Sequence, residues 1–433
     1  MERIVINGGR PLSGTVRVSG SKNAALPIMA ASILTRGTTV LSEVPRLADV
    51  ETMREILVAL GVDAEWTGGN TMRLTPGDTA GADAPPDLVR RMRASVCVLG
   101  PLLATRGAAA LPLPGGCVLG LRPIDLHLRG LKALGAEFRV EDTRVRGRAG
   151  RLHGATIDMG GPHGSTVLGT DNVMMAAALA EGRTVIHNAA CEPEVQDLAR
   201  FLNACGARIG GIGSPLLVVD GVPALHGAEH TLIPDRIEAG TFLAATAAMA
   251  GGQVRLVGAP PAHMTALLQI VQRMGVRVDW EDDALVVSRP GRLEPAHLVA
   301  EPYPGVPTDM QPQLASLLCL AIGTSSITDC VYPYRFTHMD ELRRMGARLA
   351  PTLWGLAIQG VPALRAAQVR AADLRAGAAL AVAALAAEGT TALYGVEQID
   401  RGYEDIEAKL QSLGADVRRE EVEEEGTALR KSA

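Results

Sequence analysis

The feature that most constrains the fold is a short motif that recurs six times along this chain of 433 residues. Each copy consists of the end of an apolar segment, then a glycine, then the start of a β-rich segment. Successive glycines are separated by 74, 71, 69, 71 and 68 residues, and they are Gly61, Gly135, Gly206, Gly275, Gly346 and Gly414. A fixed period of this kind is the signature of a repeated supersecondary unit, so the spacing predicts six related units of about 70 residues.

Each unit contains two kinds of helix. One is amphipathic, as in residues 49–60, and the repeated glycine fits a left-handed cap at its end. The other is apolar nearly all round and is predicted to be buried. The buried helices are expected at 23–34, 92–104, 171–179, 237–249, 310–322 and 374–385. These units predict an α/β (α+β) fold with sheets outside and buried helices inside.

A strand that begins after a glycine follows the buried helix in five of the units. These strands start at Gly37, Gly182, Gly252, Gly323 and Gly389. The second unit is predicted to replace its strand with the segment Gly115-Gly-Cys-Val-Leu-Gly. This exception is the first indication of a functional loop.

Polar residues stand where the buried helices are predicted to begin. They are Lys22-Asn23, Arg91 and Arg93, Thr170-Asp171, Asp235-Arg236, Thr308-Asp309, and Asp373-Leu374-Arg375. Three units per domain would align three buried helices, with their N-termini on one face. Helix N-termini attract anions, so the added cations predict a site for a multiply charged anion. The alternative is that the Asp and Thr residues are ordinary N-caps and the arginines are solvated.

Composition excludes several classes of protein. The net charge of −5 and an aromatic content of 3% argue against nucleic acid as a partner. The longest apolar stretch, 376–387, is shorter than the roughly 20 residues that cross a membrane. The N-terminus lacks the apolar segment of a signal peptide, so we expect a cytoplasmic protein that binds no membrane.

Cys117 is the cysteine best suited to chemistry. It follows two glycines, which favour a loop, and Arg122 lies five residues later, where a cation would favour the thiolate. A buried, inert Cys117 is the alternative. The other cysteines are expected to be buried free thiols in a reducing compartment, and they are Cys97, Cys191, Cys205, Cys319 and Cys330.

From Ile6 to about Val417 the chain resembles the UDP-N-acetylglucosamine 1-carboxyvinyltransferase family. The resemblance rests on Ser-Gly-Ser-Lys-Asn-Ala-Ala-Leu-Pro at 19–27, Met-Arg-Ala-Ser at 92–95, Pro-Gly-Gly-Cys at 114–117, Arg-Pro-Ile-Asp-Leu-His at 122–127, Pro-Asp-Arg-Ile-Glu at 234–238, Pro-Thr-Asp-Met-Gln at 307–311, Asp-Leu-Arg at 373–375 and Asp-Arg-Gly-Tyr-Glu at 400–404. It implies a two-domain inside-out α/β barrel of the enolpyruvyl transferase type. One domain would comprise residues 22–233, and the other 1–21 and 234–433, with the active site between them and the first strand crossing into the second domain.

The family transfers the enolpyruvyl group of phosphoenolpyruvate to the 3′-hydroxyl of UDP-N-acetylglucosamine and releases phosphate, the first committed step of peptidoglycan precursor synthesis. The resemblance implies these two small-molecule partners and no cofactor or metal. Cys117 would donate the proton to C3, form a covalent adduct at C2 and be the target of fosfomycin. Asp309 would be the base, with Asp373 as the next candidate.

The resemblance also implies which residues hold the substrates. Lys22, Arg122 and Arg401 would bind the phosphate, and Arg335 and Arg375 the carboxylate. The remaining substrate-binding residues would be Asn23, Arg93, Pro123, Ile124, Asp125, Leu126, His127, Asp309, Val331 and Asp373. So many cations predict a cleft that repulsion holds open when it is empty.

The chain departs from the family at Gly164-Ser-Thr-Val-Leu-Gly-Thr, where a lysine is expected and Leu168 falls near a glycine position. This change affects the diphosphate loop and leaves the reaction class unchanged. Two alternatives remain: the related enzyme that transfers enolpyruvyl to shikimate 3-phosphate, and a non-catalytic repeat scaffold such as a clamp.

Overall fold

The computed structural model describes residues 2–77, 81–113, 124–141 and 143–422. Cys117, Arg122 and Pro123 lie outside the described residues, so the assignments made to them stay predictions. Within these ranges the α-helices are α1 (Lys22–Ala31), α2 (Ala48–Ala59), α3 (Pro86–Arg91), α4 (Leu99–Arg106), α5 (Asp125–Ala133), α6 (Val167–Ala177), α7 (Pro193–Ala204), α8 (Arg236–Ala248), α9 (Thr265–Arg273), α10 (Gln311–Leu318), α11 (Met339–Arg344), α12 (Leu374–Ala386), α13 (Val396–Ile399) and α14 (Ile406–Ser412). Short 3₁₀ helices span Ser32–Leu34, Arg93–Val98, Pro261–His263 and Thr308–Met310.

Most strands of the described part of the chain belong to sheets of three or four strands. The strands are β1 (Glu2–Asn7), β2 (Ser13–Arg17), β3 (Thr35–Arg36), β4 (Thr39–Ser42), β5 (Val62–Gly68), β6 (Thr71–Pro76), β7 (Ala108–Pro112), β8 (Glu137–Glu141), β9 (Arg144–Arg148), β10 (Thr156–Asp158), β11 (Gly160–Gly161), β12 (Gly164–Ser165), β13 (Arg183–His187), β14 (Arg208–Gly210), β15 (Leu216–Asp220), β16 (Leu225–His226), β17 (Glu229–Thr231), β18 (Gln253–Val257), β19 (Arg277–Glu281), β20 (Ala284–Ser288), β21 (His297–Ala300), β22 (Thr324–Asp329), β23 (Arg348–Thr352), β24 (Gly355–Gln359), β25 (Leu364–Arg365), β26 (Gln368–Arg370), β27 (Ala387–Glu388), β28 (Thr390–Tyr394) and β29 (Asp416–Glu421). The larger sheets have the orders β17-β4-β6-β5, β7-β9-β8, β10-β13-β15-β14, β19-β20-β18-β2, β21-β22-β24-β23 and β26-β28-β1-β29. There is thus one sheet for each of the six repeats.

The repeat glycines adopt the backbone conformation that the sequence predicts. All six have φ between 81° and 101°, and each lies just after the amphipathic helix of its unit, which is α2, α5, α7, α9, α11 or α14. Glycine enters this left-handed region without the steric cost that a Cβ imposes. The prediction of six helix-glycine-strand repeats is therefore confirmed.

The apolar helices are buried inside the sheets, as predicted, although some of them begin elsewhere than the sequence suggested. The third begins at Val167 after its N-cap Thr166, so Asp171 lies one turn inside the helix, where it is 1% exposed. Burial raises the pKa of Asp171 well above its ordinary value, and Asp171 is an internal residue of the helix and not its N-cap. The second buried helix, α4, follows the 3₁₀ helix Arg93–Val98, and the fifth, α10, follows the 3₁₀ helix Thr308–Met310.

The prediction that the second unit lacks a glycine-started strand is wrong. Gly107, with φ of 64°, ends α4, and β7 follows it directly and pairs with β9. The sequence of β7 is Ala-Ala-Ala-Leu-Pro, which has little of the β-branched character that marks a strand. The segment that begins at Gly115 comes after this strand and lies outside the described residues.

The apolar core forms two clusters. One is built from residues between 24 and 232, and the other from residues 4–18 together with residues between 237 and 417. Strand β1 lies between β28 and β29, and β2 pairs with β18, so the start of the chain completes two sheets around the second cluster. We propose that the clusters are the cores of two domains, 22–233 and 1–21 with 234–433.

Among the described residues, no helix combines the length and the apolar character that a membrane span requires. The cytoplasmic location expected from the sequence stays a prediction.

Candidate active site

Two buried helices from different core clusters meet end to end at the candidate site. Lys22 is the first residue of α1, and Asp235 is the N-cap of α8. The Asp235 carboxylate accepts hydrogen bonds from the N–H groups of Ile237 and Glu238 in its own helix and from the Lys22 N–H at 3.3 Å. A single capping carboxylate therefore fixes both helix ends and places Lys22 at the boundary between the clusters.

The first group of charges at this boundary is centred on Asp49, in the first turn of α2. Its Oδ2 accepts from Lys22 Nζ at 3.1 Å, and its Oδ1 accepts from Arg401 Nε at 2.9 Å. The Lys22 and Asp49 side chains are 7% and 5% exposed. Burial lowers the pKa of Lys22, and the charges of Arg375 and Arg401 add to this effect. Burial alone would raise the pKa of Asp49, but Lys22 and Arg401 hold it below its ordinary value.

The second group is centred on Asp309, in the 3₁₀ turn before α10. Its Oδ1 accepts from Arg335 Nη1 at 2.6 Å, and its Oδ2 accepts from Arg375 Nε and Nη2 at 3.1 and 3.0 Å. The arginine side chains are 4% and 1% exposed, whereas that of Asp309 is 27% exposed. Burial opposes ionisation, but Arg375 and Arg335 hold the pKa of Asp309 well below its ordinary value.

A buried polar network fixes Arg375 from the other side. Arg375 Nη1 donates to the Tyr403 hydroxyl at 3.1 Å, and Gln313 Nε2 donates to the same oxygen at 3.1 Å. Tyr403 lies 3.0 Å from Thr241 Oγ1, whose own proton goes to the carbonyl of Ile237. The Tyr403 proton must therefore point to Thr241, and side chains from α8 and α10 orient the guanidinium on α12.

The loop after β22 is fixed by Asp329, which is 1% exposed. Its Oδ1 accepts from the N–H groups of Val331 and Tyr332 at 3.0 and 2.7 Å, and its Oδ2 accepts from the Thr308 hydroxyl at 2.6 Å. Because Thr308 precedes Asp309, this network links the loop that contains Val331 and Arg335 to the turn that contains Asp309.

Asp373, the second candidate base, has a structural role. Its Oδ1 accepts from the N–H groups of Arg375 and Ala376 at 2.9 and 3.0 Å, and its Oδ2 accepts from the Thr337 hydroxyl at 2.7 Å. Both oxygens are therefore engaged, one in capping α12 and the other in holding the loop before α11. This geometry does not favour Asp373 as a base.

The residues predicted to line the nucleotide-sugar site differ in exposure. Ile124 and His127 are buried, Asp125 is exposed, and the structure leaves Asn23, Arg93, Leu126 and Val331 partly exposed. His127 Nδ1 lies 3.0 Å from the Asn172 amide nitrogen, and Asn172 Oδ1 accepts from the Gly100 N–H. His127 therefore anchors the start of α5 to α6 and acts as an internal support for the exposed Asp125 beside it.

The cations predicted at the helix ends differ in their partners and exposure. Arg236 forms an ion pair with Glu194 through Nε and Nη2 at 2.9 and 3.1 Å, and both side chains are buried. Arg91 is 57% exposed and lies 3.6 Å from Glu55, as the solvated alternative predicted. Asp49 and Asp309 offset part of the charge on the four described cations, and the expected repulsion among the cations stays a prediction.

Sequence reasoning missed Asp49 and Tyr403 as parts of the site. From the sequence, we noted Asp49 only as the first residue of an amphipathic helix. We included Tyr403 in the motif at 400–404 but assigned it no role. A useful signal for Asp49 was an acid in the first turn of a helix near predicted cation clusters, since a buried lysine needs a counter-charge.

Of the cysteines that the structure describes, Cys97, Cys205 and Cys319 are buried, as predicted. Burial raises the pKa of Cys97 well above its ordinary value and that of Cys205 and Cys319 to about 12. Cys191 is partly exposed, and Cys330 is exposed. The prediction of a buried thiol is therefore wrong at Cys330, which follows the end of β22 at the surface.

Comparison with known proteins identifies the family. The family model described as EPSP synthase (3-phosphoshikimate 1-carboxyvinyltransferase) matches residues 6–410. The chain is 49% identical to the UDP-N-acetylglucosamine 1-carboxyvinyltransferase of Methylacidiphilum infernorum, with 97% of this chain and 99% of that protein covered. It is 48% identical to the protein of the same name from Nitratidesulfovibrio vulgaris, with 97% and 100% covered.

Solved structures agree with this assignment. The enolpyruvyl transferase NikO from Streptomyces tendae superposes with a TM-score of 0.88 at 30% identity, covering 96% of this chain and 98% of its own. An EPSP synthase from Acinetobacter baumannii superposes with a TM-score of 0.78 at 19% identity, covering 97% and 100%, and shares the fold. These matches show that the chain, with its repeated α/β units, belongs to the UDP-N-acetylglucosamine 1-carboxyvinyltransferase family of enolpyruvyl transferases.

Proposed function

We propose that this enzyme transfers the enolpyruvyl group of phosphoenolpyruvate to the 3′-hydroxyl of UDP-N-acetylglucosamine, with the two charge groups of the cleft as its phosphoenolpyruvate site. The observation that supports this most directly is the presence of two separate cation pairs. Lys22 and Arg401 share one carboxylate, and Arg335 and Arg375 share another. Phosphoenolpyruvate has two anionic groups and requires two such sites.

The two pairs suit different ends of this substrate. An ammonium is a compact charge that can approach any oxygen of a phosphate, and Lys22 supplies one beside Arg401. Two guanidinium groups can offer parallel N–H donors to a planar carboxylate, and Arg335 and Arg375 already bind one in this way. We therefore assign the phosphate to Lys22 and Arg401, with Arg122 as the predicted third cation, and the carboxylate to Arg335 and Arg375.

The reaction is an addition followed by an elimination. The 3′-hydroxyl oxygen bonds to C2 while its proton passes to a base and C3 accepts a proton from an acid. C3 then loses a proton, the C2–O bond to phosphate breaks, and the enol ether and inorganic phosphate leave. We propose Cys117 as the acid at C3 and Asp309 as the group that faces the hydroxyl. The cations stabilise the charge on phosphate and carboxylate through both steps.

The similarity to UDP-N-acetylglucosamine 1-carboxyvinyltransferases favours the nucleotide sugar over shikimate 3-phosphate as the acceptor. A direct assay is release of inorganic phosphate from phosphoenolpyruvate with either acceptor. We expect release with UDP-N-acetylglucosamine and none above background with shikimate 3-phosphate. Release with neither acceptor would support the non-catalytic alternative and overturn the proposal.

Two variants separate binding from chemistry in the same assay. Asp309→Asn should lower kcat by about 10²- to 10⁴-fold, the range for loss of a general base. Arg375→Ala should also raise the KM for phosphoenolpyruvate, because it removes a cation from the carboxylate site. Arg3→Ala is a suitable control, since Arg3 on the inner strand β1 pairs with Glu420 on the edge strand β29. If Asp309→Asn turned over at the wild-type rate, another base would be required.

A further inference from the structure

The arginines assigned to the substrate carboxylate already bind a carboxylate of the protein itself. Asp309 receives three hydrogen bonds of 2.6–3.1 Å from Arg335 and Arg375. The carboxylate of phosphoenolpyruvate has the same charge and the same planar arrangement of two acceptor oxygens. It cannot form these bonds while Asp309 keeps them, because each N–H hydrogen makes one strong hydrogen bond.

We propose that Asp309 is an internal occupant of the carboxylate site, that phosphoenolpyruvate must displace it, and that the nucleotide sugar promotes the exchange by giving Asp309 a new partner in its 3′-hydroxyl. This inference rests on the proposed function, because that function assigns the two arginines to the substrate carboxylate.

The geometry indicates which partner moves. Arg375 is 1% exposed, and Tyr403 holds it through Nη1, the nitrogen that Asp309 does not use. Arg335 is 4% exposed. Asp309 is 27% exposed and lies in a 3₁₀ turn of three residues, so its side chain is the member of the group with room to rotate. Exchange therefore leaves both guanidinium groups in place for the incoming carboxylate.

The other shared carboxylate provides a contrast within the same cleft. Asp49 also bridges two cations, but its side chain is 5% exposed and it lies within a helix of 12 residues. The Asp49 side chain therefore lacks the exposure that would let the Asp309 side chain rotate away from its cations. We infer that Asp49 is a permanent member of the phosphate site and that Asp309 is an exchangeable member of the carboxylate site.

The exchange would couple the two substrates. When Asp309 turns to the 3′-hydroxyl, the arginines become available, so the nucleotide sugar should strengthen binding of phosphoenolpyruvate, and by linkage the reverse should hold. The same movement would take Asp309 away from the two cations that keep its pKa low. Asp309 would then gain basicity only when both substrates are present.

The test measures binding of 2-phospholactate, the saturated analogue of phosphoenolpyruvate, which has both anionic groups but no double bond to react. Titration calorimetry would give its Kd for the wild type and for the Asp309→Ala and Asp309→Asn variants, with and without UDP-N-acetylglucosamine. In the wild type we expect the nucleotide sugar to tighten binding by at least about tenfold, the scale of one charge-assisted hydrogen bond. Without the nucleotide sugar, Asp309→Ala should bind 2-phospholactate at least about tenfold more tightly than the wild type, because the variant lacks the carboxylate that competes for the two arginines.

The matched control is Asp220→Asn. It neutralises another carboxylate that binds an arginine in bidentate fashion, Arg183, between strands β15 and β13. Its Kd for 2-phospholactate should equal that of the wild type. Asp309→Asn, which keeps the shape of the side chain, should shift the Kd in the same direction as Asp309→Ala and so exclude a packing effect.

The inference is overturned if both Asp309 variants bind 2-phospholactate no more tightly than the wild type while the wild type releases phosphate from its substrates. It is also overturned if the nucleotide sugar tightens binding equally in the wild type and in Asp309→Ala. Failure of the proposed function would look different, as an absence of phosphate release by the wild type.

Discussion

Acidification should destabilise this protein through His127, a buried histidine in the first turn of α5. Its side chain is packed against α6, and its Nδ1 accepts a hydrogen bond from the Asn172 amide at 3.0 Å. Burial, reinforced by the charge of Arg93, lowers the pKa of His127 from 6.5 to about 3. The folded protein therefore keeps this imidazole neutral over a pH range in which the unfolded chain protonates it.

The sign and size of the effect follow from the two pKa values. Between about pH 6.5 and pH 3 the unfolded state binds one more proton, so the free energy of unfolding falls as the pH falls through this window. The full contribution is present above about pH 6.5. At about pH 5 the loss from His127 alone is about 2 kcal/mol. His338, whose pKa burial lowers to about 4, adds a loss of the same order.

Urea unfolding of the wild type and His127→Gln at about pH 7.5 and pH 5 isolates this contribution. The variant loses the packing of the ring at both pH values, but the difference between the two free energies depends only on titration. We expect that difference to be smaller in His127→Gln than in the wild type by about 2 kcal/mol. His163→Gln, at an exposed histidine, should leave the difference unchanged. If His127→Gln lost as much stability as the wild type, His127 would not be a buried neutral histidine.

Three further predictions test separate parts of the molecule. Fosfomycin should modify one residue, Cys117, whereas iodoacetamide should also label the exposed Cys330. Peptide mass spectrometry that found fosfomycin on Cys330 would contradict the assignment of Cys117 as the reactive thiol. Asp49→Asn leaves the buried Lys22 and the partly exposed Arg401 without their shared carboxylate and should lower the free energy of unfolding by about 3 kcal/mol. A loss below about 1 kcal/mol in urea unfolding would count against this prediction. Gly20→Ala places a Cβ 1.8 Å from a backbone oxygen, so its melting temperature should fall well below that of Gly81→Ala, where the space is open.

The sequence predicts the fold of this protein better than its site. The six repeat glycines report a local requirement, a left-handed residue after a helix, and local requirements can be read from a single stretch of chain. The errors also have local causes. Thr170 looked like a helix start because an apolar run follows it, but Thr166 caps the helix one turn earlier and accepts from the Gly169 N–H.

The sequence does not show which charged side chains from distant repeats form ion pairs. Asp49 and Arg401 are 352 positions apart, and Arg375 and Asp309 are 66 apart. The residue types at the helix ends predict an anion site. Which acid neutralises which cation depends on how the units pack, and no spacing within one unit contains that information.

On the proposed assignment, the way in which the acids share the cations accounts for how one site would hold both ends of phosphoenolpyruvate. A phosphate can join Lys22 without displacing Asp49, because an ammonium has three N–H groups and Asp49 takes one of them. In the proposed exchange, a substrate carboxylate would take the paired donors of Arg375 that Asp309 now occupies. In the proposed exchange, the phosphate end would hold phosphoenolpyruvate in place while its carboxylate competes with Asp309. Arrival of the acceptor hydroxyl would then favour release of Asp309, because the hydroxyl gives this carboxylate a new partner.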